Sequence, residues 1–146
     1  MAEFGQWKYT VDRDATIAAY AQEPQGFANK CGCANCRNFM LARARVFPPA
    51  FLALLDRLGI DPGKEAEAYR NAQLAPGRHD YGGWYHFIGT LDETGDFLPV
   101  DFGGGFTAWM SRAGGPRLAS LKGAKTVQLE FHSDAVPWLL DEPEAK

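Results

Sequence analysis

The hydrophobic period of this chain changes near residue 80, and that change limits the folds open to it. Before it, apolar residues recur at three- and four-residue spacing, as on one face of a helix. After it they alternate or run continuously, as in strands. Helical segments first and strands second, without β-α-β alternation, predict an α+β fold and exclude a doubly wound parallel sheet. The expected architecture is an antiparallel sheet of roughly 3–5 strands, mostly within residues 81–132, packed against about three N-terminal helices. A length of 146 residues suits one such domain. Residues 1–140 are expected to form it, with 141–146 as a polar tail.

The helical half carries readable start and stop signals. Residues 7–11 alternate and predict a short first strand. Asp12 or Asp14 can then cap a helix carrying Ile17, Ala18, Tyr20 and Ala21, which Pro24 and Gly26 end. Residues 24–30 read as a connector. Asn35 is an N-cap candidate for a helix over 36–47, whose apolar face is Cys36, Phe39, Met40, Ala44 and Phe47. Pro48 and Pro49 break it and open a second helix with the stripe Phe51, Leu52, Leu55 and Leu58. Gly59 sits at its left-handed C-terminal cap, with Ile60 packing back on Leu55. Asp61-Pro62 repeats the start signal and predicts a polar surface helix over 64–71.

In the second half, residues 81–91 are apolar on both faces, with Trp84, His86 and Ile88 on one and Tyr85 and Phe87 on the other. That pattern predicts a central strand. Residues 92–96 read as a hairpin turn into a strand over 97–102. Gly103, Gly104 and Gly105 mark a bend between strand segments rather than a phosphate loop, because no Gly-Lys-Ser/Thr ending follows. Residues 106–110 resume the strand and 111–125 form a loop. Residues 126–132 alternate, with Val127, Leu129 and Phe131 inward and Gln128, Glu130 and His132 outward. Residues 136–140 form an apolar segment that docks on the body.

Every cysteine lies within Cys31-Gly32-Cys33-Ala34-Asn35-Cys36. Zinc takes four ligands in a tetrahedron, and thiolate is its commonest structural donor. Cys33 and Cys36 form a C-x-x-C pair, and Cys31 can add a third sulfur if Gly32 permits the sharp turn. Cys36 at a helix start would gain thiolate character from the free N–H groups. The segment therefore supplies three of four ligands. His86 is the first choice for the fourth, His79 the second, and water the third. Three other readings stay open: reduced thiols that only pack, a redox pair, or a site for Cu(I) or an iron–sulfur cluster.

The remaining candidates have simpler explanations. Asp92, Glu93 and Asp96 sit in a turn, where acids cap and solvate, and Ser111 and Ser120 lie in no nucleophile elbow. Trp84, Tyr85, Phe102, Phe106 and Trp109 suit core packing better than a shared ligand pocket. Arg112, Arg117, Lys122 and Lys125 form a local basic patch, yet a net charge of -3 argues against sequence-independent nucleic-acid binding. No apolar stretch reaches the roughly 18–20 residues that span a bilayer. The first residues have neither a basic n-region nor an apolar h-region, so a cytoplasmic location with reduced or metal-bound thiols is expected.

The chain resembles a family of small uncharacterised bacterial proteins. The resemblance rests on Cys31-x-Cys33-x-Asn35-Cys36-x-Asn38-Phe39, on Phe51-Leu52 with Leu58-Gly59-Ile60-Asp61-Pro62, on Gly83-Trp84-Tyr85-His86-Phe87 and on Pro137-Trp138. It implies a bacterial, soluble, single-domain protein and carries no activity or cofactor. From the residues themselves, the expectation is a metal-binding protein with a structural Zn2+ held by Cys31, Cys33, Cys36 and His86. The alternatives are an immunity- or adaptor-like interaction domain whose cysteines only pack, and a thiol redox or zinc-dependent enzyme.

Overall fold

The computed structural model describes residues 1–92, 95–112 and 114–146. In chain order the elements are β1 (Ala2–Phe4), β2 (Trp7–Val11), α1 (Arg13–Ala21), α2 (Phe27–Cys31), α3 (Ala34–Val46), α4 (Pro49–Leu58), β3 (Glu67–Ala75), β4 (Arg78–Leu91), β5 (Val100–Asp101), β6 (Phe106–Ser111), a 3-10 turn at Ala119–Leu121, and β7 (Thr126–Pro137). The α+β class is as the sequence predicts. The sheet is larger than expected, with seven antiparallel strands in the order β1-β2-β4-β7-β6-β5 and β3 also on β4. Its axis is the β4–β7 ladder, paired from Arg78↔Pro137 to Ile88↔Thr126.

Alternation along these strands builds the core. Tyr85, Phe87, Leu129, Phe131, Phe106 and Ala108 are buried on the face that receives the helices. Phe131 is the centre of that layer. Its ring lies 5.1 Å from Phe47, 5.9 Å from Phe39 and 6.0 Å from Phe106, joining α3 to the sheet. Aromatic rings at these separations add to the area they bury.

Helix boundaries follow the local signals. Asp12 caps α1 through Oδ1, which accepts the Ala15 N–H at 3.0 Å. Pro49 opens α4, and the Ile60 N–H closes it on the Leu55 carbonyl at 2.9 Å beyond a left-handed Gly59. Buried faces differ in detail from the expected stripes. Leu54 replaces Leu52 in α4, and Ala42 replaces Ala44 in α3. In α1, Thr16, Ala19 and Tyr20 face inward while Ile17 stays exposed. Tyr20 sets that rotation: its hydroxyl donates to the His86 carbonyl at 2.7 Å.

Two expectations are corrected. The predicted surface helix over 64–71 is strand β3, registered on β4 through Ala68↔Gly83 and Tyr69↔Gly82. Helix-favouring Glu and Ala residues are overruled by pairing with a strand that offers room there. At Gly83 a Cβ would sit 2.5 Å from the Glu67 carbonyl oxygen and 2.7 Å from the Phe131 ring, so only glycine lets β3 and the core approach together. The 24–30 connector also contains a helix, α2, and β1 adds a strand before the one predicted. The strand expected over 97–102 shrinks to β5 and pairs with β6, not β4, with the three glycines turning between them. Of the turn over 92–96, Glu93 and Thr94 lie outside the described residues. Among those described, no helix is long and apolar enough to cross a membrane.

Phe131→Ala should lower unfolding free energy by about 3–5 kcal/mol, the range for removing a buried Phe. Urea denaturation of the variant checks this, and a change below ~1 kcal/mol would contradict a central role for the ring.

Candidate metal centre

Two helices meet at the cysteines. Cys31 is the last residue of α2, Gly32 turns the chain in a left-handed conformation at φ 68, and Cys33 is the N-cap of α3. A residue with a Cβ is strained at that φ, so Gly32 permits the turn. Cys33 Sγ accepts the Cys36 N–H at 3.4 Å, and the three sulfur atoms lie within 4.8 Å of one another. Asn35, the expected cap, sits instead in the first turn, where its carbonyl accepts the Tyr81 hydroxyl at 2.9 Å. Cys31 and Cys33 are exposed and Cys36 is buried.

A buried carboxylate ties together the two helices that flank this turn. Glu65 is fully buried, and its Oε1 accepts the Ala28 N–H at 2.8 Å while its backbone carbonyl takes the Phe27 N–H at 2.9 Å. Both N–H groups belong to the first turn of α2, whose N-cap Gly26 offers no side chain. Arg43 of α3 closes the pair, 3.0 Å from Glu65 Oε2. Burial raises the Glu65 carboxyl, against the Ala28 N–H and Arg43 that favour its charge. Asn38 is fully buried as well and uses both ends of its amide, giving Nδ2 to the Pro137 carbonyl at 3.0 Å and taking the Leu139 N–H on Oδ1 at 2.7 Å. Sequence reasoning singled out neither role. An Asn inside an apolar helix face was the available signal, since Asn is unfavourable there unless its amide is used.

The thiols divide differently from the sequence expectation. Burial opposes ionisation of Cys33, yet the Cys36 N–H, the two neighbouring thiols and the Asn35 N–H pull it below the usual thiol value. Burial pushes Cys36 well up, and its contacts with Cys31 and Cys33 push the same way. The helix start therefore favours a thiolate on the capping Cys33, not on Cys36.

The three thiols are the group of metal-capable side chains that converge, among the described residues, and no histidine joins them. Tyr81, whose hydroxyl touches α3, and His86 are five residues apart on β4, about 16 Å along the strand. His86 is fully buried with Nε2 2.9 Å from Gln128 Oε1. That oxygen also accepts the Gly115 N–H, and the Gln128 amide nitrogen donates to Glu130. An acceptor at Gln128 Oε1 makes His86 Nε2 the protonated nitrogen, leaving Nδ1 as a buried lone pair with no partner. His79 is buried against Trp138 with Nε2 2.6 Å from Glu144 Oε1, and His132 pairs with Asp80 at 2.8 Å.

The other sequence candidates disperse. Tyr85 and Phe106 belong to the helix-facing core, while Trp84 gives its indole N–H to the Pro116 carbonyl outside the sheet. The five aromatics thus line no common pocket. Ser120 occupies the 3-10 turn, its N–H on Glu23, and Arg117 donates to Thr126. Compared with protein-family models, curated proteins and solved structures, the chain matches none.

His86 makes acid stability measurable. Burial holds its imidazole down to about 4, with the Arg117 charge adding and the Gln128 hydrogen bond opposing. The unfolded chain protonates His86 near 6.5, so its contribution is complete above that pH and is lost as pH falls towards about 4. The loss is on the order of 3 kcal/mol at 1.36 kcal/mol per unit. Urea midpoints between pH 7 and 4 should fall less steeply in His86→Gln than in wild type, and parallel curves would contradict a neutral buried imidazole.

Proposed function

We propose that this protein binds one Zn2+ through Cys31, Cys33 and Cys36, and that the ion staples the α2–α3 turn. The observation that supports this reading is the convergence of three sulfur atoms within 4.8 Å on the Gly32 turn between two helices that Glu65 ties together. Soft thiolates in C-x-C and C-x-x-C spacing suit zinc. With no histidine joining the cluster, solvent supplies the fourth donor beside the exposed Cys31 and Cys33. Metal bound only by the folded turn contributes its binding free energy to folding.

Protein prepared without chelator should carry about one zinc per chain by elemental analysis. Removing it, or substituting Cys33→Ser, should lower Tm by roughly 5–10 °C, as expected for a ligand at about a hundred times its Kd. Metal-free protein with three freely titrating thiols would overturn the reading.

A second reading has its own observation. Cys33 is exposed at a helix N-cap, and its C-x-x-C partner Cys36 is buried behind it. That polarity suits thiol–disulfide exchange with a small disulfide such as glutathione disulfide. The Cys33 thiolate would attack one sulfur and release glutathione thiolate. Cys36 would then lose its proton and displace the second glutathione thiolate, closing the Cys33–Cys36 disulfide. Zinc-free protein in which glutathione disulfide forms that bond, with Cys31 left free on mass mapping, would favour this reading over the metal.

A further inference from the structure

We propose that Arg37 and Glu142 form a clasp through which the segment after β7 regulates the cysteine turn, an inference that rests on the thiol site described above. Arg37 follows Cys36 directly and reaches in two directions. Its Nε donates to the Gly32 carbonyl at 3.0 Å, on the residue between Cys31 and Cys33. Its two terminal nitrogens grip the Glu142 carboxylate, with Nη2 to Oε1 at 3.1 Å and Nη1 to Oε2. One planar guanidinium thus ties the turn to residue 142, a geometry a lysine cannot reproduce.

The segment is placed on both sides of the clasp. Asn38 of α3 accepts the Leu139 and Leu140 N–H groups and donates to the Pro137 carbonyl. Trp138 gives its indole N–H to the Glu142 carbonyl at 3.0 Å and packs on His79. Beyond it, Glu144 Oε1 takes the Gly77 N–H at 2.6 Å and meets His79 Nε2. The segment from Trp138 to Glu144, which includes part of the expected polar tail over 141–146, is therefore a strap laid from β7 across the start of α3.

The clasp differs from the rest of the strap in exposure. Asn38 is fully buried, whereas the Arg37 and Glu142 side chains are each 42% exposed. An exposed pair of this kind is screened by water and adds little to the stability of the fold. It can open without unfolding the domain. Opening frees the guanidinium from Glu142, slackens its hold on Gly32 and loosens the turn on which three sulfurs must converge. Arg37 is a positioning residue here, since it touches the turn's carbonyl and no sulfur contact is needed.

The test uses the full chain, reduced and metal-free, with 5,5′-dithiobis(2-nitrobenzoate) as the thiol probe and Zn2+ titrated against a chelating indicator. Glu142→Ala should speed labelling of Cys31 and Cys33 roughly two- to fivefold and weaken zinc by a similar factor, as the worth of an exposed pair implies. Its Tm should stay within ~2 °C of wild type. Arg37→Lys keeps the charge but loses both the fork and the Nε donor to Gly32, so it should label at least as fast as Glu142→Ala. Combining the two should add nothing to Arg37→Lys alone, because the linkage to Glu142 is already gone. Wild-type labelling in either single variant, additive effects in the double variant, or faster labelling explained by a large loss of Tm would overturn the clasp. If the chain takes up no zinc while Glu142→Ala still accelerates labelling, the metal reading fails and the clasp stands.

Discussion

The long pairing of β4 with β7 governs the molecule. It fixes which side chains of β4 meet the helices, and it spaces them at about 3.3 Å per residue. Tyr81, near one end, reaches Asn35 and Asn38 of α3; Tyr85 and Phe87 enter the central core; His86, on the opposite face, is closed over by Gln128 and the loop at Gly115. A register slip of one residue would exchange these faces and put Tyr81 away from the helix that carries the cysteines. The position of the thiol site relative to every histidine is therefore a consequence of sheet register, not of local sequence.

Next to that ladder, the helices depend on two buried polar side chains. Glu65 supplies what Gly26 cannot, a carboxylate at the first turn of α2, and holds Arg43 of α3 with its other oxygen. Asn38 does the corresponding work at the other side of α3, joining it to the segment after β7. Burying a carboxylate is unfavourable unless it is paired and hydrogen-bonded, and Glu65 has both. The short α2, too brief to be stable alone, is held by these contacts at the angle from which Cys31 faces Cys33 and Cys36.

The sequence was legible where one local signal had no competitor. The Pro49 start and Gly59 stop of α4, the Asp12 cap, and the alternation of Val127, Leu129 and Phe131 all appear as read. The clustering of the three cysteines was legible for the same reason, since six residues leave them little room to separate. Legibility failed where tertiary pairing decided. Residues 67–71 have helical composition, but the glycines at 82 and 83 invite a strand beside them. Asn35 and Cys33 compete for one cap position, and the sulfur took it because Gly32 sets Cys33 in the extended conformation a cap needs. His86 looked available because its burial partner, Gln128, lies 42 residues away on another strand.

The separation of the thiols from the histidines has the same origin. Each histidine already has a partner at Nε2: Gln128 at His86, Glu144 at His79 and Asp80 at His132. To join the thiols, His86 would have to leave a fully buried place in a paired strand. A site assembled from one turn keeps its three sulfurs together cheaply, because the loop they close is short. It also leaves one side of the site facing solvent, at Cys31 and Cys33. Three converging thiols with an open side can accept an ion completed by water or exchange electrons with a disulfide. In either use the three sulfurs depend on the turn at Gly32, whose carbonyl Arg37 holds.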